Sequence, residues 1–513
     1  MQCAQQTPIT GGTKDTQSPK IDTLKRELPL NGSTNFNTQS ITINFDELVV
    51  LKNADKQIII TPFLDTKPEI YTKGKKVIVE FKEELNPNTT YIINFGDAIA
   101  DITEGNVFKN YKYVFSTGSY IDSLSYDAFV YNAFNKTPVK DVLVMLYKEH
   151  EDSVVNKMKP SYFGKTNLLG KCYIQNIAAG DYKVVALKDE NSNYTFDPKE
   201  ELIGFIDQRF AAATDTIADT IGVFLNLPEK LEILASTINP NGKGTIVLNK
   251  SIPMDSIVLA DSVKSLFLDQ QYTLSRSRDT IYYWIDPTVS EQKKYPLVVA
   301  NCKKFNTYLK QPTDSVLNFR TNAGQNLKPH EDLYFDFLQP IDSVDITMIK
   351  LSEDSSELAF EVIQVTPTKI VIAADYQIDH TYKIQLLPGA FTSSYNVVND
   401  TINASFQRNE ANQYGNLIVS IAPNSGENFI LELLRGEKVV KRSSVSKSEL
   451  NSLNYPNLSS GKYSLKLIFD DNNDGFWNTG DYYKHISPER VEYYNEVIDL
   501  KKGWDMDITW IIK

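Results

Sequence analysis

Short runs in which apolar and polar residues alternate recur along this chain, and stretches of helical period are scarce. Ser40-Ile41-Thr42-Ile43-Asn44-Phe45-Asp46-Glu47 alternates with a period of two, as a half-buried strand requires. Lys76-Val77-Ile78-Val79-Glu80-Phe81 repeats the pattern, Pro87-Asn88-Thr89-Thr90 supplies a turn, and Tyr91–Phe95 and Tyr113-Val114-Phe115-Ser116-Thr117-Gly118 give two further strands. Turn signals every ten or so residues between short strands predict a β-sandwich over residues 21–118.

The same outline returns twice. Thr245-Ile246-Val247-Leu248-Asn249-Lys250-Ser251-Ile252-Pro253 opens a second copy, which the pattern closes at Val316-Leu317-Asn318-Phe319-Arg320-Thr321. Asp332-Leu333-Tyr334-Phe335-Asp336-Phe337 opens a third, in which Asp379-His380-Thr381-Tyr382-Lys383-Ile384 parallels Asn88-Thr89-Thr90-Tyr91-Ile92-Ile93. A different passage is written twice, 281 positions apart, at Gly180–Glu200 and Gly461–Asp481. Each copy runs glycine, tyrosine two residues later, an alternating apolar run, then an Asp/Asn-rich loop starting nine residues after the glycine. The expected organisation is a tether over 1–20 followed by units at 21–118, 119–225, 226–322, 323–409 and 410–513, in the order A-B-A-A-B. All five are read as β-sandwiches, which makes the chain all-β.

At 513 residues the chain is too long for one core and fits several domains of ordinary size. Its 28 Tyr and 25 Phe suit strands. The net charge of −12 is spread without a basic block, which argues against nucleic acid as a partner, because phosphate backbones need clustered Lys and Arg. Three cysteines are too few and too scattered for a disulfide framework or zinc site. Cys172 and Cys302 lie in apolar strand-like runs and are expected to be buried thiols. Cys3 is different, because a Thr/Gly/Pro/Ser-rich stretch reaching about Pro19 follows it. That is the pattern of a lipidated N-terminal cysteine on a flexible tether, or of an incidental cysteine in a disordered tail. No apolar stretch long enough for a membrane helix follows.

The acidic loops hold the one constellation of ligand-type residues. Asp470, Asn472, Asp474, Asn478 and Asp481 fall at positions 1, 3, 5, 9 and 12 of a twelve-residue calcium loop, with the Phe476 carbonyl at position 7 and Gly475 at the sharp turn. Calcium needs six to eight oxygens, and three carboxylates in so short a loop repel one another without a cation between them. The first copy offers Asp189, Asn191, Asn193, Thr195, Asp197 and Glu200. Tyr194 stands there in place of the glycine, which disfavours a left-handed backbone. The competing reading of both is an Asx-rich turn held by its own side chains. A calcium ion at either would be structural, since catalysis would need an open coordination position and an acid–base partner.

Enzyme signatures are absent. The four histidines stand alone, no G-x-S-x-G elbow occurs, and Gly242-Lys243-Gly244-Thr245 lacks the leading glycine of a phosphate loop and reads as a turn. Tyr482-Tyr483, Tyr493-Tyr494 and Trp504 to Trp510 could form a stacking platform, although strand-alternating aromatics are more often core. Trp477 stands out because it sits in the loop itself.

The A units resemble bacterial Ig-like domains of surface and S-layer proteins, through Ile41-Thr42-Ile43-Asn44-Phe45-Asp46-Glu47 and Pro87-Asn88-Thr89-Thr90-Tyr91. The B units resemble transthyretin-like, carboxypeptidase-regulatory β-sandwiches, through Thr166-Asn167-Leu168-Leu169-Gly170-Lys171 and Ala179-Gly180-Asp181-Tyr182. The whole chain is similar to a group of Bacteroidota lipoproteins built from these modules. The departure from that pattern is that only Met1-Gln2 precede Cys3, where a signal peptide is expected. The resemblance implies three Ig-like and two transthyretin-like sandwiches in the order Ig–TTR–Ig–Ig–TTR, with a lipid on Cys3 anchoring the chain to the outer membrane. It implies a non-enzymatic scaffold facing periplasm or cell surface. Its partners would be other outer-membrane or cell-surface proteins, in β-barrel assembly, secretion or nutrient uptake. The alternative is a glycan-binding surface protein.

Overall fold

The computed structural model describes residues 14–198, 200–212, 217–252, 264–275, 277–289, 293–297, 305–309, 312–378 and 380–512. Cys3, Cys302, Pro253 and Asp379 lie outside them. The protein is all-β, built from separate sheets that pack as tandem Ig-like sandwiches. By its contacts it divides into two compact units. One holds the described residues up to Asn226 together with Thr479–Pro488; the other holds Leu227–Asn478 and the residues from Glu489 onward.

In the first unit, strands Glu27–Leu28, Ser40–Asn44, Lys76–Glu80 and Glu69–Lys73 form a four-stranded sheet in that order. A second sheet joins Ile59–Thr61, Thr90–Asn94 and Lys112–Ser116. The period-two pattern decides which face is inside: Ile41, Ile43, Val77 and Val79 are fully buried. They meet Tyr91, Ile93, Tyr113 and Phe115 in one core. The threonine-tyrosine signal at the turn has a structural reason. The Tyr91 hydroxyl turns back to accept the N–H of Asn86, five residues upstream, at 2.9 Å. In the second unit the buried Tyr382 hydroxyl accepts the N–H of Gln377 in the same way, at 2.5 Å. A buried phenol satisfied by a nearby backbone group pins the corner of a sandwich.

The four-stranded pattern recurs twice in the second unit. Ile233–Ile238, Lys243–Leu248, Thr280–Ile285 and Phe267–Leu274 lie in that order, as do Phe319–Thr321, Leu333–Phe337, Lys369–Ala373 and Glu361–Thr366. The last set corrects a boundary. Phe319–Thr321, which the sequence pattern placed at the close of 226–322, pairs with Leu333–Phe337. Leu317 and Phe319 pack in the core that contains Phe335, Ile370 and Tyr382. A terminal strand reads alike whichever neighbour it pairs with, so alternation alone could not assign it.

The two passages carrying the repeated loops fold alike, strand for strand. In the first unit the eight strands are Leu124–Asn132, Leu143–Tyr147, Tyr162–Lys165, Lys171–Ile177, Gly180–Lys188, Leu202–Phe205, Phe210–Ala212 and Ile217–Leu225. In the second they are Tyr414–Pro423, Asn428–Arg435, Lys438–Ser446, Leu453–Ser459, Gly461–Phe469, Val491–Tyr493, Ile498–Leu500 and Asp505–Ile512. In both, the first strand runs parallel to the eighth and antiparallel to the fourth. In both, the fifth pairs with the second, sixth and seventh. The cores are distinct, one around Val130, Val144, Tyr182 and Val184, the other around Leu417, Leu431, Leu465 and Leu467. The G-x-Y signal marks a shared corner. Gly180 and Gly461 both have positive φ (154 and 156), and the Tyr182 and Tyr463 hydroxyls each donate to a carbonyl four residues back, Ala178 at 2.9 Å and Ser459 at 2.5 Å.

Candidate functional site: the paired acidic loops

Each acidic loop leaves the fifth strand of its sandwich and leads to the sixth, and each is held by a similar set of hydrogen bonds. In the second unit, Asp470 is almost wholly buried, and its carboxylate accepts the N–H of Asp474 at 3.0 Å and of Gly475 at 2.9 Å. Asn472 Oδ1 accepts the N–H of Asp474 at 3.1 Å, and Asp474 Oδ1 accepts that of Phe476 at 2.8 Å. In the first unit, Asp189 accepts the N–H groups of Ser192 (2.7 Å), Asn193 (3.3 Å) and Tyr194 (3.0 Å). Asn191 Oδ1 accepts the N–H of Asn193 at 3.0 Å, and Asn193 Oδ1 that of Thr195 at 2.7 Å. The side-chain amides close each network: Asn191 and Asn193 donate to Asp197 Oδ2, and Asn472 and Asn478 donate to Asp474 Oδ2. Alternate Asx side chains thus satisfy the backbone two residues on, which is why Asp and Asn at every second position make a tight loop.

Two residues that the sequence reading missed tie the loops shut. Glu201 is 1% exposed and bridges the N–H groups of Glu190 (3.0 Å) and Asp197 (2.8 Å). Glu489 is 8% exposed and bridges those of Asp471 (3.1 Å) and Asn478 (2.8 Å), the equivalent positions. The closing positions named from spacing are therefore corrected. Glu200 is exposed, and its neighbour Glu201 does the work. Asp481 instead caps the short helix Tyr482–Lys484, accepting the N–H groups of Tyr483 (3.1 Å) and Lys484 (3.3 Å) and pairing with the Lys484 ammonium at 3.0 Å. A fixed twelve-residue spacing misses both glutamates. Glu201 lies one residue beyond it, and Glu489 follows the Thr479–Pro488 excursion, where the first loop has only residues 198–200.

Burial disfavours the charged form of both carboxyls, and the neighbouring carboxylates add to it. Glu489 is pushed up to about 7 by burial, with Asp470 and Asp474 reinforcing the rise and the two backbone N–H groups opposing it. Glu201 is raised by burial in the same way, with Asp189 and Asp197 adding to it. In the second loop, Asn478 Oδ1 is buried without a hydrogen-bond partner. Among the described residues no three His, Cys, Asp or Glu side chains gather as a metal cluster. The oxygens that could meet a cation in the second loop are those of Asp470, Asn472, Asp474, Asn478, the Phe476 carbonyl and Glu489. All are hard donors of the kind calcium takes, and the unpartnered Asn478 oxygen fits such an ion. The first loop has no orphaned oxygen of this kind among its described residues.

The position-six residues differ in kind but share a conformation. Gly475 has φ 76 and Tyr194 has φ 63, so the expectation that tyrosine would avoid the left-handed region is corrected. Packing holds Tyr194 there: its ring meets Phe63 at 5.0 Å and Phe163 at 5.3 Å, both edge-on. In the second loop the Gly475 carbonyl accepts from Arg442 at 2.8 Å, and Phe476 lies 4.0 Å beneath the Arg278 guanidinium. Arg442 also reaches buried Glu432 (3.3 Å), which pairs with Lys466 at 3.7 Å. Burial lowers the Lys466 ammonium to about 8, with Glu432 opposing the fall. Trp477 is packing rather than platform. Its indole donates to the Glu489 carbonyl at 3.0 Å, and its ring covers Ile430, Ile468 and Val491.

The excursion Thr479–Pro488 belongs to the first unit and packs there. Tyr482 is fully buried against Phe205 (5.8 Å) and Phe196 (6.3 Å), and its N–H donates to Asn226 Oδ1 at 2.6 Å. Tyr483 donates to Asn156 Oδ1 at 2.9 Å. His485 sits between two carboxylates, Nδ1 3.0 Å from Asp207 and Nε2 3.0 Å from Asp152, the latter also paired with Lys183. Asp207 and Asp152 raise the imidazole above its usual value, while burial and Lys183 pull the other way. Cys172 is a buried thiol, as expected, pushed up to about 12 by burial.

Residues 15–117 match the bacterial Ig-like domain family. No curated protein matches the sequence. Among solved structures, the chain is similar to BcpA, the major pilin subunit of Bacillus cereus, at 11% identity over 76% of this chain and 99% of that one, with a TM-score of 0.14. It is similar to the Bacillus anthracis TIE protein at 10% identity over 98% and 76%, with a TM-score of 0.17. It is also similar to SGBP-B of the Bacteroides ovatus mixed-linkage glucan utilization locus, solved with a mixed-linkage heptasaccharide, at 9% identity over 74% and 94%, with a TM-score of 0.20. Likenesses at this level assign no function.

Proposed function

We propose that this chain is a non-enzymatic structural and protein-interaction scaffold, anchored to the outer membrane through a lipid on Cys3 and acting as an accessory subunit of an outer-membrane complex. Its modules would be Ig-like at 21–118, 226–322 and 323–409, and transthyretin-like at 119–225 and 410–513, with the third boundary falling ahead of Leu317. The observation carrying this reading is that the loop residues with the richest chemistry are spent on the fold. Asp189, Asp470, Glu201 and Glu489 all accept backbone N–H groups of their own loops. A catalytic carboxylate needs a free face toward a substrate, and these are turned inward. The glycan-binding alternative loses its platform in the loop region, because Trp477 and Tyr482 are packed.

Purification of the protein from native membranes in mild detergent, with identification of what co-purifies, tests the scaffold reading. Recovery of a lone monomer overturns the complex-subunit role, and a Cys3→Ser variant that stays in the membrane fraction overturns the lipid anchor. The second acidic loop is further proposed to take one structural calcium ion through Asp470, Asn472, Asp474, Asn478 and the Phe476 carbonyl, with Glu489 in the closing position. EDTA should then lower the melting temperature and added calcium should restore it. An unchanged melting temperature under both treatments rejects the ion.

A further inference from the structure

In the second unit, a cleft of about 670 Å³ opens between the turn Lys328–Glu331 and the hairpin formed by Asn428–Arg435 and Lys438–Ser446. Leu458 and Tyr463, both buried, form part of its floor. Four cations line it: Lys328, Arg435, Lys438 and Lys441. The one carboxylate in the lining, Glu331, is engaged with the N–H of Lys328 at 3.0 Å. Among the described residues no ion pair joins any of the four cations to a carboxylate. Elsewhere in this protein of net charge −12 there are cations held by carboxylates, as Arg442 and Lys466 are by Glu432, Arg490 by Glu492 and Lys501 by Asp499.

We propose that this cleft binds a phosphate-bearing polyanion. Like charges gathered in a concave wall repel one another in the empty site and focus a positive field into it, so an anion of matching charge relieves the repulsion as it binds. A phosphate ester or polyphosphate carries several charges on closely spaced oxygens, which suits three ammonium groups beside one guanidinium. One arm of that guanidinium is fixed by the Ser460 carbonyl at 3.2 Å. The volume falls in the range of small-molecule sites and exceeds what a lone inorganic phosphate fills. The inference goes beyond the scaffold reading and does not depend on it.

The test uses the full chain, with tripolyphosphate as a soluble probe and phosphatidylcholine vesicles with and without phosphatidylglycerol as the lipid probe. Calorimetric titration with tripolyphosphate should show binding that weakens with added salt. It should weaken about tenfold or more in the Lys328→Ala/Lys441→Ala double variant, at an unchanged melting temperature. Binding confined to the phosphatidylglycerol vesicles, and lost in the same variant, also supports the cleft and makes its ligand a lipid headgroup. Absence of binding to both probes at low salt overturns the proposal, as does equal binding by wild type and a folded double variant.

Discussion

The acidic loops at 189–201 and 470–490 share a hydrogen-bonded skeleton, yet they are stabilised by different surroundings. Both begin with an Asp that gathers backbone N–H groups, and both are bridged by a buried Glu at equivalent positions. The first loop seals itself with aromatic packing, Tyr194 against Phe63 and Phe163. The second relies on charge, with Arg442 on the Gly475 carbonyl and Arg278 over Phe476, and carries a ten-residue excursion before its glutamate. A loop that must admit an insertion keeps its skeleton because the closing residue needs only to return to the same place. It does not need a fixed number of residues to get there.

The largest expected effect tests whether the skeleton is the common element. Asp470→Ala strands two N–H groups of the loop beside a carboxylate position 2% exposed, so denaturant unfolding should show a loss of about 3 kcal/mol. Asp189→Ala should cost less, because Asp189 is only partly buried and water can reach the freed groups. Equal costs would break the distinction between the two sites. Next in size, Tyr194→Gly should destabilise by about 2 kcal/mol, since lost aromatic packing outweighs relief of the left-handed backbone. The counterpart Gly475→Ala should cost about 1 kcal/mol, because φ is 76 there and an added Cβ would meet the Ser444 hydroxyl only at an ordinary contact of 3.8 Å. A stabilising Tyr194→Gly would show that packing does not hold the first loop.

The pH dependence separates Glu489 from His485. The folded-state value of Glu489 is raised to about 7, so the folded protein binds the extra proton between the usual carboxylate range and 7. Its contribution to stability is therefore present at acid pH and lost as pH rises through that window. Glu489→Gln should flatten this slope in denaturation midpoints measured across the range. His485 is also raised, by Asp207 and Asp152, so its contribution is complete below the usual histidine value and lost as pH climbs through the higher folded one. Hydrogen exchange of residues 479–488 should accelerate over that higher window in wild type and not in His485→Gln. Identical pH profiles for the two variants would join what the comparison keeps apart.

Much of this architecture was legible in the sequence. Ser40–Asn44 and Lys76–Glu80 announce themselves by alternation, because a two-residue period allows only one face to be buried. The G-x-Y and T-T-Y signals marked real corners, since a tyrosine hydroxyl close to a turn can satisfy a nearby backbone group without leaving the core. The loops' Asx positions were found through the spacing of a calcium loop, and the same alternation lets Asn191, Asn193, Asn472 and Asp474 each bond to backbone two residues on. Phe319–Thr321 was assigned to the wrong neighbour because its pattern holds no information about its pairing partner. Glu200 and Asp481 were named in place of Glu201 and Glu489 because the bridging contacts are made across sequence intervals that nothing local fixes.

The sequence by itself determined the all-β class, the repeated strands and the alternation of Asx residues in each acidic loop, because these depend on contacts within a few residues or on a strict side-chain period. Tertiary structure alone decided which glutamate closes each loop, and that Tyr194 holds a backbone conformation its own chemistry disfavours. It alone drew Lys328, Arg435, Lys438 and Lys441 around one cleft. Those outcomes depend on long-range packing energy and on charges brought together from distant parts of the chain. Neither leaves a periodic trace along the chain.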